Sequence, residues 1–295
     1  MKKRVLFIIN PKSGVSRKHN IPELISSYLD DVKFDAEIKF TKYSGHGYKL
    51  AKEAVHDGYD VVCAVGGDGS VHNIGMALIN ADTILAVIPT GSGNGYARHF
   101  DIPVRIKQAI LTLNQMKIRQ VDVGMLNHKY FLGVAGFGFD GHISGKFVKR
   151  KKRGIRGYIL LVLKEYFRYG QQEFEIEFGN GRVIRQKAFM ASIANISEFG
   201  NSFRISPFAD AQDGKFELIL LRKPNLFQVP FILRDFFKGK AHTSRLVQTF
   251  RFEEAKISTK SSRFHADGEP VSLSNPIKIR VQPKALQIVV GENYA

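Results

Sequence analysis

Three short segments of this chain are rich in glycine and small polar residues, a composition that suits phosphate binding. They are Asn10-Pro11-Lys12-Ser13-Gly14, Gly66-Gly67-Asp68-Gly69-Ser70 and Thr90-Gly91-Ser92-Gly93-Asn94-Gly95. Glycine lets the backbone approach a phosphate closely, and N–H groups at the start of a helix attract anionic oxygens. Each segment taken alone could be a tight turn between a strand and a helix. The three together predict a cradle for a phosphorylated ligand.

The second segment contains Asp68, a carboxylate in a place where phosphate is expected. A carboxylate repels phosphate unless a cation lies between them, and Mg²⁺ prefers oxygen ligands of this kind. Asp68 therefore indicates a metal-bound nucleotide. The plain alternative is that this aspartate only forms the turn.

Common nucleotide-binding motifs do not explain these segments. The chain contains no G-x-x-x-x-G-K-[ST] sequence and neither the H-R-D nor the D-F-G triplet of protein kinases. Residues 136–141 do match G-x-G-x-x-G, but a basic run follows them in place of a second buried strand that ends in an acidic residue. A dinucleotide-binding fold is therefore not supported.

Two acidic segments follow in the second half of the chain. They are Ala209-Asp210-Ala211-Gln212-Asp213-Gly214-Lys215-Phe216 and Asp267-Gly268-Glu269-Pro270. With the three glycine-rich segments they form five motifs that resemble, in order, those of the diacylglycerol kinase and sphingosine kinase catalytic-domain family. The resemblance covers nearly the whole chain and implies an ATP-dependent kinase that phosphorylates a lipid hydroxyl.

The resemblance implies a nucleotide site in the first half of the chain, with Asp68 acting through Mg²⁺. The residues expected to bind nucleotide are Asn10, Pro11, Lys12, Ser13, Gly14, Thr41, Gly66, Gly67, Asp68, Gly69, Ser70, Ser92, Gly93 and Asn94. Asp210, Asp213 and the carbonyl of Lys215 resemble the family's second Mg²⁺ site, and such oxygens are suitable hard ligands. Without the family, the same residues are an Asp-Gly turn.

Glu269 resembles the general base of the family, which takes the proton of the lipid hydroxyl. Chemistry alone also allows Asp122 and Asp140 as proton acceptors, and we assign these two to substrate binding. Asp140 resembles a position that helps sphingosine kinases bind the sphingoid head group, although an exposed loop position is the plain expectation for it. Without the family, residues 267–270 are a hairpin turn.

Two positions depart from the family pattern. Asn73 stands where a glutamate is common, and Gly95 stands where an aspartate often follows Gly-x-x-Asn. Sphingosine kinases also lack that aspartate, so Gly95 can reflect the choice of substrate. Asn73 leaves the hydrogen bonding around Asp68 open.

The elements that would position these residues divide the chain into two domains, which we place at residues 1–125 and 126–295. In the first, buried strands are predicted at Val5–Asn10, Ala36–Thr41, Asp60–Val65 and Ile84–Pro89, with amphipathic helices at Ile21–Leu29, Tyr48–His56, Val71–Ile79 and Ile106–Met116. Strands that alternate with helices predict an α/β domain with a doubly wound, mostly parallel sheet. Because each glycine-rich segment follows a strand, all three should lie at the carboxyl edge of this sheet, where ligands bind.

The second half is rich in β-strand patterns, which predict a C-terminal β-sandwich domain. Strands are predicted at Tyr130–Ala135, Phe174–Phe178, Ala188–Ala194, Phe216–Leu221, Val247–Phe252, Ile257–Lys260, Ile277–Val281 and Leu286–Val290. Helical inserts are predicted at Arg156–Tyr169 and Asn225–Lys238.

The composition is that of a globular protein with an excess of positive charge. Of 295 residues, 44% are hydrophobic and 24% charged, and the formal net charge is +17. This charge favours polyanionic partners, but no nucleic-acid-reading motif is recognisable, so we expect no nucleic-acid partner. The single Cys63 fits a reducing cytoplasm, and the scattered histidines do not indicate a zinc site.

Two segments combine basic and apolar residues in the way that interfacial helices do. The first joins a basic loop to the apolar run 158–163; the loop residues are Lys146, Lys149, Arg150, Lys151, Lys152, Arg153 and Arg156. A core helix behind a solvated loop is an equal alternative. The second segment contains Phe227, Phe231, Phe236 and Phe237, and we expect core packing for most of these rings.

No apolar run approaches the length of a transmembrane helix. We therefore expect a cytoplasmic protein that binds peripherally to the anionic inner face of the membrane. Diacylglycerol is the leading acceptor and a sphingoid base the second, followed by a NAD kinase-like enzyme and a non-catalytic protein that binds nucleotide or membrane. A homodimer is compatible with the sequence.

Overall fold

The computed structural model describes residues 1–12, 20–148, 155–260 and 263–294. The chain forms two compact units. The first comprises Met1–Val123, Glu198–Ser202 and Pro283–Ala295, and the second comprises Gly124–Ser197 and Phe203–Gln282. A single division at residue 125 does not describe these units, because two later segments of the chain belong to the first one.

The first unit is an α/β domain built on a parallel sheet. Its elements are β1 (Lys3–Ile9), α1 (Ile21–Tyr28), β2 (Phe34–Phe40), α2 (His46–His56), β3 (Val61–Gly66), α3 (Asp68–Leu78), β4 (Ile84–Pro89), α4 (Gly95–His99) and α5 (Ile106–Gln115). β3 and β4 are buried along their whole length, as in sheets covered by helices on both faces. Helix α1 packs against α5, and α2 packs against α3.

The strands of this sheet run in the order β2-β1-β3-β4, and all neighbouring pairs are parallel. The order reverses between β1 and β3, because β2 lies on one side of β1 and the later strands on the other. A doubly wound sheet binds its ligands at such a reversal.

Among its described residues, the second unit contains two antiparallel sheets, three α-helices and a short 3-10 helix at Ala241–Thr243. The elements after α5 are β5 (Ile118–Leu126), β6 (Lys129–Phe131), β7 (Val134–Gly138), α6 (Phe139–Val148), α7 (Ile155–Arg168), β8 (Gln172–Phe178), β9 (Val183–Ala188), β10 (Met190–Ala194), β11 (Phe216–Leu221), α8 (Val229–Phe237), β12 (Val247–Phe252), β13 (Glu254–Thr259), β14 (Phe264–Ala266), β15 (Glu269–Val271) and β16 (Ile277–Val289). One sheet has the order β12-β11-β10-β7-β14-β15, and the other joins β9, β8 and β13 to residues 277–280 of β16.

The core of the second unit lies between its two sheets. Phe137 and Phe216 from the first sheet and Phe174 and Ile257 from the second are all buried in one cluster. Strand β8 alternates between buried and exposed residues, which is the pattern of a strand with one face on a core. This is a β-sandwich, and the predicted fold class is confirmed.

Some elements of the structure were not predicted. Helices α4 and α6 and strands β9, β14 and β15 are short, polar or glycine-rich and depend on contacts with distant residues, and the nine-residue strand β5 was missed as well. The predicted strand Tyr130–Ala135 is divided between β6 and β7, and the predicted strands Ile277–Val281 and Leu286–Val290 correspond to one strand, β16. The expectation that most of the aromatic rings near α8 pack in the core is wrong. Phe236 is buried, but Phe227, Phe231 and Phe237 are exposed.

Among the residues that the structure describes, no helix is both long enough and apolar enough to cross a membrane. The basic residues 149–153 of the predicted interfacial segment lie outside the described residues. The apolar run that follows them begins within α7.

Candidate active site

The glycine-rich segments lie at the carboxyl edge of the parallel sheet, each beginning where β1, β3 or β4 ends. The loops after β1 and β3 meet at the reversal of strand order. Here the Asn10 side chain donates from Nδ2 to Ser70 Oγ at 3.4 Å. The geometry brings two of the three predicted phosphate-binding segments together at the point where ligands of such sheets bind.

The segments after β3 and β4 approach each other through backbone atoms. A Cβ added to Gly91 would lie 2.6 Å from the Cα of Gly67, a distance that real side chains do not show. Thr90 donates its N–H to the carbonyl of Gly66 at 2.8 Å. Asn94 closes the third segment on itself, since its Oδ1 accepts from the Gly91 N–H at 3.0 Å and its Nδ2 donates to the Gly91 carbonyl at 2.9 Å.

Asp68 is the first residue of α3 and is partly buried. Its Oδ1 accepts a hydrogen bond from the backbone N–H of Tyr96 in α4 at 3.2 Å. A Cβ added to Gly93 would lie 3.0 Å from its Oδ2. The carboxylate therefore lies between α3 and the third glycine-rich segment, at the edge where phosphate is expected.

Residues 198–202 join this region, although nothing in the sequence marks them as part of it. Asn201 donates its N–H to the carbonyl of Gly93 at 3.2 Å. A Cβ added to Gly95 would lie 2.7 Å from the nitrogen of Gly200 and 2.8 Å from the carbonyl oxygen of Glu198. The departure at Gly95 thus has a physical reason: the backbone of residues 198–200 occupies the space of a side chain.

The departure at Asn73 is accommodated within α3. Its side-chain Nδ2 donates to the carbonyl of Gly69 at 2.8 Å, one helical turn earlier. This hydrogen bond therefore stabilises the exposed Gly69 in the first turn of the helix.

The remaining residues predicted to bind nucleotide differ in their environment. Those exposed at the surface are Pro11, Lys12, Gly69 and Ser92. Thr41 is partly buried just after β2 and donates its N–H to the carbonyl of Ile9 at 2.9 Å. Ser13 and Gly14 lie outside the described residues.

In the second unit, Glu269 is exposed at the start of β15, on the hairpin that β15 forms with β14. The turn consists of Asp267 and Gly268, both with positive φ (50° and 83°), as in the two-residue turns that suit hairpins. The Asp267 carboxylate accepts three hydrogen bonds from the consecutive N–H groups of residues 132–134, at 2.7, 2.7 and 2.9 Å. Ser144 also donates from its hydroxyl to the carbonyl of Gly268. Glu269 therefore extends from an anchored turn.

Asp140 is not an exposed loop residue, which corrects that expectation. It lies in the first turn of α6, and its side chain is only 12% exposed. Its Oδ2 accepts from Ser192 Oγ at 2.8 Å and lies 3.0 Å from His265 Nε2. The Gly268 N–H donates to His265 Nδ1 at 3.1 Å, which places the proton of a neutral His265 on Nε2, beside Asp140. Asp140 thus connects α6 to the base of the Glu269 hairpin, a role with no signal in the sequence.

Asp122 lies in β5 and is 1% exposed. Its Oδ1 accepts the N–H of Lys284 at 2.8 Å, where Lys284 has a positive φ of 53°. A carboxylate buried in this way supports the backbone around it. Its assignment to substrate binding stays a prediction.

The acidic segment that precedes β11 is a tight loop around two carboxylates. Asp213 accepts the N–H of Lys215 at 2.8 Å and also contacts the guanidinium of Arg251. Arg251 Nε lies 3.1 Å from the carboxylate of Glu217, whose pKa is raised by burial although Arg251 opposes that shift. Asp210 is exposed and accepts the N–H of Gln212 at 2.9 Å.

The donor atoms of this loop fit Mg²⁺ in type, since two carboxylates and a main-chain carbonyl are hard oxygen ligands. The Asp213 carboxylate would then contact both the Arg251 guanidinium and the cation. In the part of the chain that the structure describes, no group of three or more His, Cys, Asp or Glu side chains could hold a metal ion. A cation here would therefore rely on the Lys215 carbonyl and on water for its remaining ligands.

Comparison with known proteins identifies both halves of the chain. The family described as "Diacylglycerol kinase catalytic domain" matches residues 4–126, and the one described as "YegS C-terminal NAD kinase beta sandwich-like domain" matches residues 133–290. Two relatives named diacylglycerol kinase, from Staphylococcus aureus strains bovine RF122 / ET3-1 and MRSA252, are each 28% identical over 279 residues. These alignments cover 91% of this chain and 87% of each relative.

Solved structures show the same fold. A crystal structure named as a diacylglycerol kinase from Bacillus anthracis str. Sterne gives a TM-score of 0.73 at 19% identity and covers 99% of this chain and 98% of that one. A second structure from the same organism reaches a TM-score of 0.80 at 22% identity, with 99% of each chain covered. The two family matches therefore lead to one conclusion: the chain joins a first half that matches the diacylglycerol kinase catalytic domain to a second half that belongs to the family of the YegS C-terminal NAD kinase beta sandwich-like domain.

Proposed function

We propose that this protein is an ATP-dependent lipid kinase that transfers the γ-phosphate of ATP to the hydroxyl of diacylglycerol. The observation that carries the proposal is the meeting of the glycine-rich segments and Asp68 at the carboxyl edge of a parallel sheet, where the strand order reverses. The names of the S. aureus relatives support diacylglycerol as the acceptor.

The first unit would hold the phosphate donor. The loops after β1, β3 and β4 would supply backbone N–H groups to the phosphates, with the N-terminus of α3 adding the positive end of its dipole. Asp68, held by the Tyr96 N–H, would contact the phosphates through Mg²⁺. That cation would neutralise the charge of the transferred group.

The second unit would supply the proton acceptor. The hydroxyl oxygen of the lipid attacks the γ-phosphorus, its proton passes to the Glu269 carboxylate, and the bond to the bridging oxygen breaks so that ADP leaves with the electron pair. Asp267 would keep the hairpin in place while Glu269 stays exposed for this contact. Asp210, Asp213 and the Lys215 carbonyl would hold a second Mg²⁺ with a structural role.

A lipid acceptor lies in a bilayer, and the enzyme must reach it there. We therefore propose that this is a cytoplasmic protein bound to the inner face of the membrane. Helix α7 offers an apolar face for this purpose. Leu160, Leu163 and Phe167 are 65%, 49% and 66% exposed and recur on one side of the helix, beside the exposed Lys164.

The test is transfer of labelled γ-phosphate from ATP to diacylglycerol and to sphingosine, each in mixed vesicles, and to soluble NAD. We expect label in diacylglycerol, and a loss of at least about 100-fold in kcat for Asp68→Asn and for Glu269→Gln. The amide oxygen that Asp68→Asn introduces would still accept the Tyr96 N–H, so the loss in that variant reports the missing charge. Glu173→Gln, at a side chain 65% exposed on β8, is the matched control and should keep full activity.

Three outcomes contradict the proposal. Label in sphingosine or NAD in place of diacylglycerol would identify a different acceptor. Full activity of both Asp68→Asn and Glu269→Gln would remove the assigned roles. Failure to label any acceptor would overturn the kinase assignment itself.

A further inference from the structure

The chain exposes an unusual amount of apolar surface on and just before α8. Five large apolar side chains there are solvent-accessible: Leu226 (57%), Phe227 (86%), Phe231 (60%), Leu233 (43%) and Phe237 (52%). We call these five residues the α8 surface. Large exposed apolar side chains grouped in one segment are typical of surfaces that contact a protein or a membrane.

The α8 surface is displayed on a helix that is itself anchored. Ile232 and Phe236, four residues apart, are the buried side of α8, and the Phe236 ring stacks on Phe203 at 4.7 Å between centroids. Pro at the start of the helix fixes its first turn. The exposed rings therefore do not result from a frayed end, because the opposite side of the same helix is packed.

The sequence around the α8 surface is strongly basic. Residues 222–245 contain six Lys or Arg residues and a single acidic one, Asp235. Arg234 lies over the Phe231 ring at 5.6 Å and forms an ion pair with Asp235 at 3.2 Å. Lys238 and Lys240 are exposed beyond Phe237.

Exposed aromatic and basic side chains alternate along α8, and this combination suits one kind of partner better than the others. A second copy of this chain would bring the same positive charge to the contact, and a nucleic acid would leave the Phe and Leu side chains without a complement. An anionic bilayer satisfies both features, because apolar side chains enter the acyl boundary while Lys and Arg meet lipid phosphates.

We infer that the α8 surface inserts into anionic membranes and anchors the second unit there. Its place next to α7 supports this: the Tyr166 hydroxyl donates to the carbonyl of Pro224, and Lys223 Nζ donates to the carbonyl of Tyr169 at 2.7 Å. The segment that leads into α8 is thus fixed to the end of the helix with the other exposed apolar face. The inference rests on the proposed membrane location and names the surface that would provide it, and membrane binding can be measured without catalysis.

The experiment measures binding of the full chain to vesicles of phosphatidylglycerol and phosphatidylcholine, and to phosphatidylcholine alone, by co-sedimentation. The double variants Phe227→Ser/Phe231→Ser and Lys238→Ala/Lys240→Ala should each bind mixed vesicles roughly tenfold or more weakly. Val32→Ser and Val183→Ser, at exposed aliphatic positions of the first and second unit, should bind like the unchanged chain. Unfolding temperatures confirm that all variants remain folded.

Activity separates this inference from the proposed function. With a short-chain diacylglycerol dissolved in water, the α8 variants should phosphorylate as fast as the unchanged chain, and with vesicle-embedded substrate they should be slower. Absence of kinase activity in every protein would leave the vesicle-binding result intact as its own test. Unchanged vesicle binding of both double variants would overturn the inference. The inference would also be overturned if these substitutions converted a dimer to a monomer while vesicle binding stayed the same. That result would show that the α8 surface contacts a second copy of the chain.

Discussion

Gly67 and Gly91 are packed backbone against backbone: a Cβ on Gly91 would lie 2.6 Å from the Cα of Gly67, and one on Gly67 would lie 3.1 Å from the Cα of Gly91. Because the atoms on both sides are main chain, no side-chain rotation can relieve a clash. The contact sets the distance between the loops after β3 and β4, which carry most of the proposed phosphate-binding residues.

Gly91→Ala should therefore destabilise the protein by about 1–3 kcal/mol and impair phosphoryl transfer, because the two loops must separate to admit a methyl group. The matched control is Gly69→Ala, where an added Cβ meets nothing within 4 Å. It should stay within about 1 kcal/mol of the unchanged chain, since alanine also favours the first turn of α3. Urea unfolding at pH 7 measures both. Equal stability of the two variants would contradict the close approach.

Restoring the two residues common in the family should have opposite results. Gly95→Asp places a side chain into the backbone of residues 198–200, so we expect it to lower the unfolding temperature by several degrees and to reduce activity. Asn73→Glu replaces a partly exposed side chain that makes one hydrogen bond to Gly69, and it should fold with nearly unchanged stability. Thermal unfolding of both variants checks this, and a stable Gly95→Asp protein would contradict the assigned contact.

Asp267 and Glu269 lie two residues apart but should respond differently to loss of charge. Asp267→Asn weakens three hydrogen bonds from the N–H groups of residues 132–134, and we expect it to cost roughly 2–3 kcal/mol of stability. Glu269→Gln changes an exposed side chain and should leave stability unchanged while removing activity. Denaturant unfolding and kcat are measured on both variants. Together they distinguish the structural role of Asp267 from the proton-accepting role of Glu269. A stability loss in Glu269→Gln equal to that in Asp267→Asn would contradict the division.

The sheet that carries the proposed phosphate site could be predicted closely from the sequence. The predicted strand Ile84–Pro89 has the bounds of β4, and the start of helix Ile106–Met116 coincides with that of α5. Such elements are decided locally, by apolar runs that end at Gly, Asn or Pro and by amphipathic repeats. Because parallel strands end at one edge, the meeting of the glycine-rich segments followed from the same pattern.

The parts that the sequence did not predict are decided by contacts between distant residues. Helix α4 has five residues and begins where Tyr96 meets Asp68, and residues 198–202 fill the space beside Gly95 only in the folded unit. The environment of Asp140 depends on Ser192 and His265, each more than fifty positions away. The exposed rings of α8 could not be distinguished from core rings, because a nine-residue helix needs only Ile232 and Phe236 to anchor it.

Glu165 offers a test of the second unit by pH. Its carboxylate is 4% exposed and accepts from His142 Nε2 at 2.8 Å and from Lys146 Nζ at 2.7 Å. These hydrogen bonds, with His142 the larger cause, lower the pKa of Glu165 from 4.5 to about 2. Burial lowers the pKa of His142, so the neutral ring donates to Glu165 at pH 7.

A carboxyl group whose pKa is lower in the folded than in the unfolded chain adds stability above its unfolded value, and that stability is lost as the pH falls towards its folded value. The contribution of Glu165 is therefore complete above about pH 4.5 and declines towards pH 2. Glu165→Gln leaves Lys146 beside a neutral amide, but Lys146 is 38% exposed and partly screened by water, so the substitution should cost about 1–2 kcal/mol at pH 7. Between pH 5 and pH 3, unfolding by urea should show the unchanged chain losing stability faster than the variant.

Glu175→Gln is the matched control for this prediction. Glu175 lies 2.7 Å from Arg185 Nε, as close as Glu165 lies to Lys146, but its side chain is 48% exposed and that of Arg185 is 76% exposed. Water screens such a surface pair, so its removal should leave the unfolding curve indistinguishable from that of the unchanged chain at every pH. If Glu165→Gln behaves like Glu175→Gln, the Glu165 carboxylate is solvated in solution, and the ion pair does not hold α6 and α7 together.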